Sequence, residues 1–408
     1  MNKMNKEIVT IAAITGLMLL AAKKAAARSR SALGMNYDTL YHRFDPKYTP
    51  DEVQHRDFAR FKEDGITLIR VGTYWAQIEP TSRGVYNDIH LGNIRHTIEL
   101  ANEYGIKTML TAHTTWNNTW YVPTWADTIE YYDPYVAAHP EKYMTTAAWQ
   151  AALTQDMSII RNPNTRQAFL AMFTHCCEFF RGTPGLIAWN LNEPWWWPLD
   201  PLPELNGINQ QESMISLIDE MNTISHQIGD VSFTCGFVSA SSRYPGTNAW
   251  ERDFAHDPRI RNLDIIGFNI YWHRMPQIET DLDKYAQDYA KWLAETKRNV
   301  ATVKSWGKPL WVTETGGDGS GGYTHLNPDG TGWAPDDPRW WDDEGQLALY
   351  QQVIPLLESL KVNAIMPWSW RADSMVENPG LPGKSFNLAA DALGNGRPAY
   401  YYFVRRLA

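Results

Sequence analysis

Past Ser31 the chain alternates between two kinds of hydrophobic pattern. Short apolar runs of six to nine residues are separated by longer stretches in which apolar positions recur at helical spacing. The short runs are Ala32–Tyr37, Ile66–Gly72, Ile106–His113, Leu186–Asn192, Val231–Phe237, Leu263–Tyr271, Pro309–Glu314 and Asn363–Trp370, eight in all. Their length, β-branched content and flanking polar residues predict strands. Between them, Phe169, Met172, Phe173, Cys176 and Phe180 form one helical face. Tyr285, Tyr289, Trp292, Thr296, Val300 and Val303 form a second, and Leu347, Tyr350, Ile354 and Leu357 a third. Asp51 is placed to cap a helix over the following residues, Pro355 to kink its helix, and Pro398 to open the last one.

Strands alternating with helices imply βα units and a parallel sheet. Eight units imply a (β/α)8 TIM barrel, and no internal linker or repeat divides residues 32–408. In such a barrel the functional side chains gather at the C-terminal ends of the strands. The sequence puts unusual residues there. The fourth run ends in Asn192 followed by Glu193, the seventh in Glu314, the third in His113 and the sixth in Asn269 and Tyr271, while the second carries Arg70 and the eighth Trp368. Any one of these has an ordinary structural reading as a cap or salt-bridge member. Two carboxylates, an arginine, a tyrosine and a tryptophan meeting at one mouth are harder to explain that way.

A pair of carboxylates across a pocket is the requirement of glycosidic cleavage, one as proton donor and the other as nucleophile or base. Arg70 and the Tyr271 hydroxyl would stabilise an ionised Glu314, and like-charge proximity would keep Glu193 protonated. Asn192 is placed to bond a sugar 2-hydroxyl. Aromatic residues make up 13% of the chain, with 19 Trp and 20 Tyr, and indoles suit stacking on sugar rings. Trp195 stands two residues after Glu193 in the cluster Trp195–Trp197. Trp116 and Trp120 lie in a long excursion after the third strand, Thr114–Pro163, and a second long loop, Gly316–Gly345, follows the seventh. Long loops on the catalytic face of a barrel commonly build the cleft.

At these residues the sequence resembles clan A of the retaining glycoside hydrolases, most closely the cellulase-like family 5. "WNLNEP" is similar to the acid/base motif, which implies Glu193 as acid/base. "WVTETGG" is similar to the nucleophile motif, which implies Glu314 as nucleophile. By the same resemblance Arg70 in "LIRVGTYW" supports the nucleophile, Tyr271 in "FNIYWH" contacts it, and Trp368 in "PWSW" floors the subsite of the attacked sugar. One position departs from the pattern: family 5 members often carry His two residues before the tyrosine, and Asn269 stands there instead.

The remaining composition narrows the partners. A formal net charge of −9 argues against nucleic acid and anionic membrane as partners. Three cysteines, Cys176, Cys177 and Cys235, make neither a disulfide framework nor a zinc site. Asp329, Asp336 and Asp337 lack the spacing of a calcium-binding EF-hand loop, and no His-x-His cluster ends a strand, so neither a metal nor a cofactor is expected. Residues 1–31 stand apart. The 15-residue run Ile8–Ala22 after Lys3 and Lys6, followed by Ala25–Ala27, has the form of a signal peptide or membrane anchor. Lys23, Lys24, Arg28 and Arg30 behind the run complicate simple export. The expectation is a secreted or anchored monomer acting on a β-linked polysaccharide or oligosaccharide, with a transglycosylase or a non-catalytic sugar-binding barrel as alternatives.

Overall fold

The computed structural model describes residues 31–37, 40–42, 45–113, 123, 125–126, 159, 163–194, 204–205, 208–241, 246, 248–272, 282–316, 343–368, 370, 388 and 396–407. The N-terminal run, Trp116, Trp120, Trp195 and most of both long loops lie outside the described residues, so nothing tests the expectations placed on them. Among the described residues no helix is long and apolar enough to cross a membrane.

Eight parallel strands close into one barrel: β1 (Ala32–Tyr37), β2 (Ile66–Tyr74), β3 (Lys107–His113), β4 (Leu186–Asn192), β5 (Ser232–Ser241), β6 (Ile266–Tyr271), β7 (Leu310–Gly316) and β8 (Ala364–Pro367). Each pairs with its neighbours in sequence, and β1 pairs with β8 to complete the ring. The predicted (β/α)8 architecture is therefore the observed one, and every strand overlaps its predicted run. The main outer helices are α1 (Asp51–Glu63), α2 (Asp88–Glu103), α3 (Pro163–Phe180), α4 (Gln210–Ile224), α5 (Leu282–Ser305), α6 (Asp343–Ser359) and α7 (Pro398–Leu407). Two short helices, Ala249–Asp253 and Pro258–Arg261, stand between β5 and β6.

One detail differs from the sequence reading. Asp51 is the first residue of α1 and not its cap. Pro50 holds the cap position with no side-chain bond, so Asp51 acts through its charge at the helix N-terminus. Pro355 lies inside α6, and the helix continues past it to Ser359.

The core has two parts. The larger lies between the strands and the helices. There the predicted face of α3 is buried, with Phe173 and Phe180 packing edge-on against Trp189 of β4 at centroid distances of 5.1 and 6.1 Å. With Trp189 turned outward, alternation turns Asn190 and Asn192 into the barrel. Trp272, the residue after β6, sits among Tyr285, Tyr289 and Trp292 of α5 and anchors the end of that strand. Six tryptophans, Trp75, Trp189, Trp250, Trp272, Trp292 and Trp370, are fully buried, so part of the indole content is core. The smaller part of the core fills the barrel's lower interior with Leu68, Met109, Ala188, Ala364 and Met366. Above it the interior becomes polar.

Cys176, Cys177 and Cys235 are buried free thiols, as small hydrophobes would be. α7 packs back against the C-terminal end of α1, where Arg60 donates to the Tyr401 hydroxyl. Tyr400 packs on Trp370 at 4.8 Å and donates to Asp64 Oδ2 at 2.5 Å.

Close strand packing leaves no room at Gly267, where an added Cβ would stand 2.4 Å from the Cys235 carbonyl oxygen. Gly92 in α2 would meet nothing within 4 Å. Gly267→Ala is therefore expected to lower the unfolding free energy by about 1–3 kcal/mol through overpacking. Gly92→Ala should raise it by about 0.5–1 kcal/mol, because alanine loses less backbone freedom on entering a helix. Urea unfolding of the two variants checks the pair, and a shared sign would contradict the packing described.

Candidate active site

The polar upper interior is organised around Arg70. Its position in β2 pairs in register with Asn36 of β1 and Met109 of β3. The side chain is 2% exposed. Nη1 donates to Asn36 Oδ1 and to Glu314 Oε1, each at 2.6 Å, while Nε and Nη2 donate to Asn190 Oδ1 at 3.2 and 3.1 Å. One guanidinium thus ties β1, β2, β4 and β7 together. Asn36 is held in turn, its amide nitrogen donating to the carbonyls of Thr313, Met366 and Pro367. Burying an ion pair is tolerable only when its remaining donors and acceptors are bonded, and here neutral amides supply those bonds.

Glu314 is 5% exposed and has a second partner, the Tyr271 hydroxyl, which donates to Oε2 at 2.9 Å. Burial, then the charges of Glu314 and Glu193, push the Tyr271 phenol well above its ordinary range, so it remains a neutral donor. Both oxygens of Glu314 are engaged, one by a cation and one by a hydroxyl. The Trp368 ring lies with its centroid 5.8 Å from the Arg70 guanidinium carbon, and its backbone N–H donates to Thr315 O.

Glu193 sits across the mouth in a different setting. It is 3% exposed, and its Oε1 accepts from Asn269 Nδ2 at 2.9 Å. The same nitrogen donates to Asn192 Oδ1 at 3.1 Å, and Asn269 Oδ1 accepts from Thr313 Oγ1 at 2.8 Å.

Simple alternation along a strand would send Asn192 and Glu193 to opposite faces, and Thr313 and Glu314 likewise. Two backbone devices prevent this. Glu193 adopts φ +43°, a left-handed conformation uncommon for a residue other than glycine, while its N–H stays bonded to Gly236 O at 2.9 Å. In β7 the register steps from Phe268↔Val312 to Asn269↔Glu314, leaving Thr313 as an extra residue. Such a bulge re-aims side chains. Consequently both members of each adjacent pair reach the interior. Strain of this kind concentrates at functional sites.

Of the residues expected at the mouth, Glu193, Glu314, Arg70, Asn192, Tyr271 and Trp368 come together in one network. His113 ends β3 opposite Asn192 in register. Four members were given no role at the site from the sequence, although Asn269 was placed at the end of the sixth strand: Asn36, Asn190, Asn269 and Thr313. A signal was present for three of them. Buried strands that interrupt an apolar run with an amide, as "GMNY", "WNLN" and "GFNIY" do, must find partners for it. Thr313 gave no such signal, since threonine is an ordinary strand residue. Among the described residues no group of His, Cys, Asp and Glu is arranged to hold a metal.

A parallel eight-stranded barrel with two buried carboxylates at the C-terminal mouth, one of them locked to an arginine and a tyrosine, has the architecture expected from the clan A resemblance. The family comparison agrees. Residues 33–194 match the model of Cellulase (glycosyl hydrolase family 5), a stretch that runs from β1 to just past Glu193. A glucosylceramidase from Rhizopus delemar is 36% identical over 71 residues, 17% of this chain. The chain spans about a tenth of that relative's length, since the match covers 10% of it. Among solved structures, endo-glycoceramidase II from Rhodococcus sp. superposes with a TM-score of 0.59 at 16% identity, covering 90% of this chain and 78% of that one. The endo-1,4-beta-D-mannanase from Thermotoga petrophila RKU-1 gives 0.56 at 15% identity, covering 92% and 99%. At these identities the structural likeness establishes the fold.

The buried pair makes a direct prediction. Arg70→Met leaves the Glu314 carboxylate buried without its cation and is expected to cost about 3–5 kcal/mol of stability. Adding Glu314→Gln removes the stranded charge and should recover part of that loss. Chemical denaturation of both variants decides it, and a double variant less stable than Arg70→Met would argue against a charge-driven network.

Proposed function

We propose that this protein is a retaining β-glycosidase that cleaves β-linked polysaccharide or oligosaccharide by double displacement, with Glu314 as nucleophile and Glu193 as acid/base. The observation that carries the reading is the difference between the two carboxylates' surroundings. Glu314 accepts from a guanidinium and a phenol, which suits a residue that must be ionised to attack an anomeric carbon. Glu193 accepts from a neutral amide, which suits a residue that alternately holds and releases a proton. In the first step Glu314 attacks the anomeric carbon while Glu193 protonates the departing oxygen. In the second, Glu193 takes a proton from water as the glycosyl ester on Glu314 is hydrolysed. Trp368 beside Arg70 is the proposed floor under the attacked sugar, and Asn192 the proposed partner of its 2-hydroxyl.

The family match and the mannanase neighbour favour a β-glucan or β-mannan. A glycolipid headgroup is a second reading, favoured by the names of the glucosylceramidase and endo-glycoceramidase relatives. A transglycosylase would use the same two carboxylates and differ in excluding water from the second step.

Incubating the purified protein with β-glucans, β-mannans, xylans, glucosylceramide and aryl β-glycosides separates these readings, and release of product from none of them would reject the proposal. A 2-fluoro glycoside of the selected sugar should esterify Glu314, as peptide mass spectrometry would show, and a label on another residue would remove it as nucleophile. Glu193→Ala should turn over activated aryl glycosides slowly, and added azide should restore the rate with a β-glycosyl azide as product. Unchanged rates on polysaccharide would remove Glu193 as proton donor.

A further inference from the structure

Asn269 stands where the family resemblance leads one to expect histidine, and its hydrogen bonds say more than that it fills a gap. Its Nδ2 donates to Glu193 Oε1 and Asn192 Oδ1, and its Oδ1 accepts from Thr313 Oγ1. These three bonds fix the orientation of the amide. Rotated by half a turn, it would set its oxygen against Asn192 Oδ1 and Glu193 Oε1 and lose both bonds, while the threonine hydroxyl could still accept from its nitrogen. Asn269 is 1% exposed, so water does not soften that cost. Thr313 reaches Asn269 because of the extra residue in β7, and the space for the cluster comes from β5. There an added Cβ at Gly236 would stand 2.9 Å from Asn192 Oδ1, 3.0 Å from Thr313 Oγ1 and 3.1 Å from Asn269 Oδ1. The Gly236 carbonyl also accepts the Glu193 N–H and so holds the left-handed turn that brings the carboxyl inward.

We propose that Asn269, oriented by Thr313, is a positioning residue that selects which oxygen of Glu193 carries the proton: Oε1 stays an acceptor from the amide, and Oε2 holds the hydrogen that passes to the departing glycosidic oxygen. This rests on the reading of Glu193 as acid/base. A neutral carboxyl has one acceptor-only oxygen and one hydroxyl. A donor fixed on Oε1 favours the form in which Oε1 is the carbonyl. In the first step the O–H bond at Oε2 breaks as the new O–H bond forms on the leaving group, and Oε2 keeps the electron pair. In the second step a water proton returns to Oε2 while the water oxygen bonds to the anomeric carbon and the carbon–oxygen bond to Glu314 breaks, its electron pair returning to the Glu314 carboxylate. The amide at 269 does not titrate, so it donates in both states and the carboxyl need not turn between steps.

Two experiments test this, and each separates it from the underlying reading. The first compares Asn269→Ala, Thr313→Val and Glu193→Ala on aryl β-glycosides of the sugar the substrate panel selects, from 2,4-dinitrophenyl to phenyl. Protonation matters for phenol and hardly for dinitrophenol. Asn269→Ala is expected to lower the rate of the bond-cleaving step on the phenyl glycoside by about 10²-fold, the cost of a misplaced catalytic group, with little loss on the dinitrophenyl compound. Thr313→Val, close to threonine in shape, should show the same dependence more weakly and keeps the test valid if Asn269→Ala fails to fold. Equal losses across all leaving groups for the Thr313 and Asn269 variants would reduce both residues to structural parts and overturn the proposal. A flat series for Glu193→Ala would instead overturn the acid/base reading itself. The second experiment is a crystal structure of Glu314→Gln with a bound oligosaccharide. Glu193 Oε2 is expected within ~2.6–3.2 Å of the glycosidic oxygen, with Oε1 still on Asn269. Oε1 facing the sugar would overturn the proposal, and neither oxygen near it would overturn the acid/base reading.

Discussion

The buried pair between Arg70 and Glu314 is the constraint on which the upper half of the barrel depends. A guanidinium and a carboxylate taken out of water lose more in hydration than a simple contact returns, unless every remaining donor and acceptor is bonded. The protein meets most of that demand with neutral groups: Asn36 and Asn190 accept three of the other four guanidinium hydrogens, and the Tyr271 hydroxyl donates to the second carboxylate oxygen. Each partner comes from a different strand, so the ion pair can be satisfied only once the ring has closed. The arrangement explains why the interior changes character along its axis. Leu68, Met109, Ala188 and Met366 fill the lower part by packing, and the upper part is filled by a hydrogen-bonded network.

The same network makes the two carboxylates unlike one another. Glu314 is surrounded by groups that favour its charge, and Glu193 by an amide that tolerates either state. They stand in one polar cluster, because Asn36 also bonds the Thr313 carbonyl and Thr313 bonds Asn269. A disturbance at one carboxylate is therefore felt at the other through Arg70, Asn36, Thr313 and Asn269. Such rigidity is what a reaction with two proton transfers and two bond displacements requires of its scaffold, since orientation errors of an ångström are costly. The aromatic packing of Trp272 on α5 and of Trp189 under α3 supplies that rigidity from outside the ring.

Much of this was legible in the chain. The alternation of short apolar runs with helical stripes gave the eight strands in order, because a strand buried on both faces must be apolar nearly throughout. The polar residues that interrupt those runs near their C-terminal ends named the mouth, since an amide or carboxylate in such a strand needs a partner or a task. Glu193, Glu314, Arg70, Asn192, Tyr271 and Trp368 were found in this way. Asn36 and Asn190 carried the same signal and were not placed at the site, and Asn269 was placed at the mouth without a role, because from sequence a buried amide that ties strands together looks like one that serves a catalytic group.

Local sequence determined which segments become strands and which residues sit at their ends, because burial and backbone propensity act on a few neighbouring residues at a time. It did not determine which way Glu193 and Glu314 face. Period-two alternation would separate each from its inward-facing neighbour, Asn192 or Thr313. Only the closed barrel decides the matter. A left-handed turn held by the Gly236 carbonyl brings Glu193 inward, and an extra residue in β7 brings Glu314 inward beside Arg70. Both distortions cost backbone energy locally, on the order of 1–3 kcal/mol for a residue such as Glu193, and persist because contacts from strands far apart in the chain outweigh it.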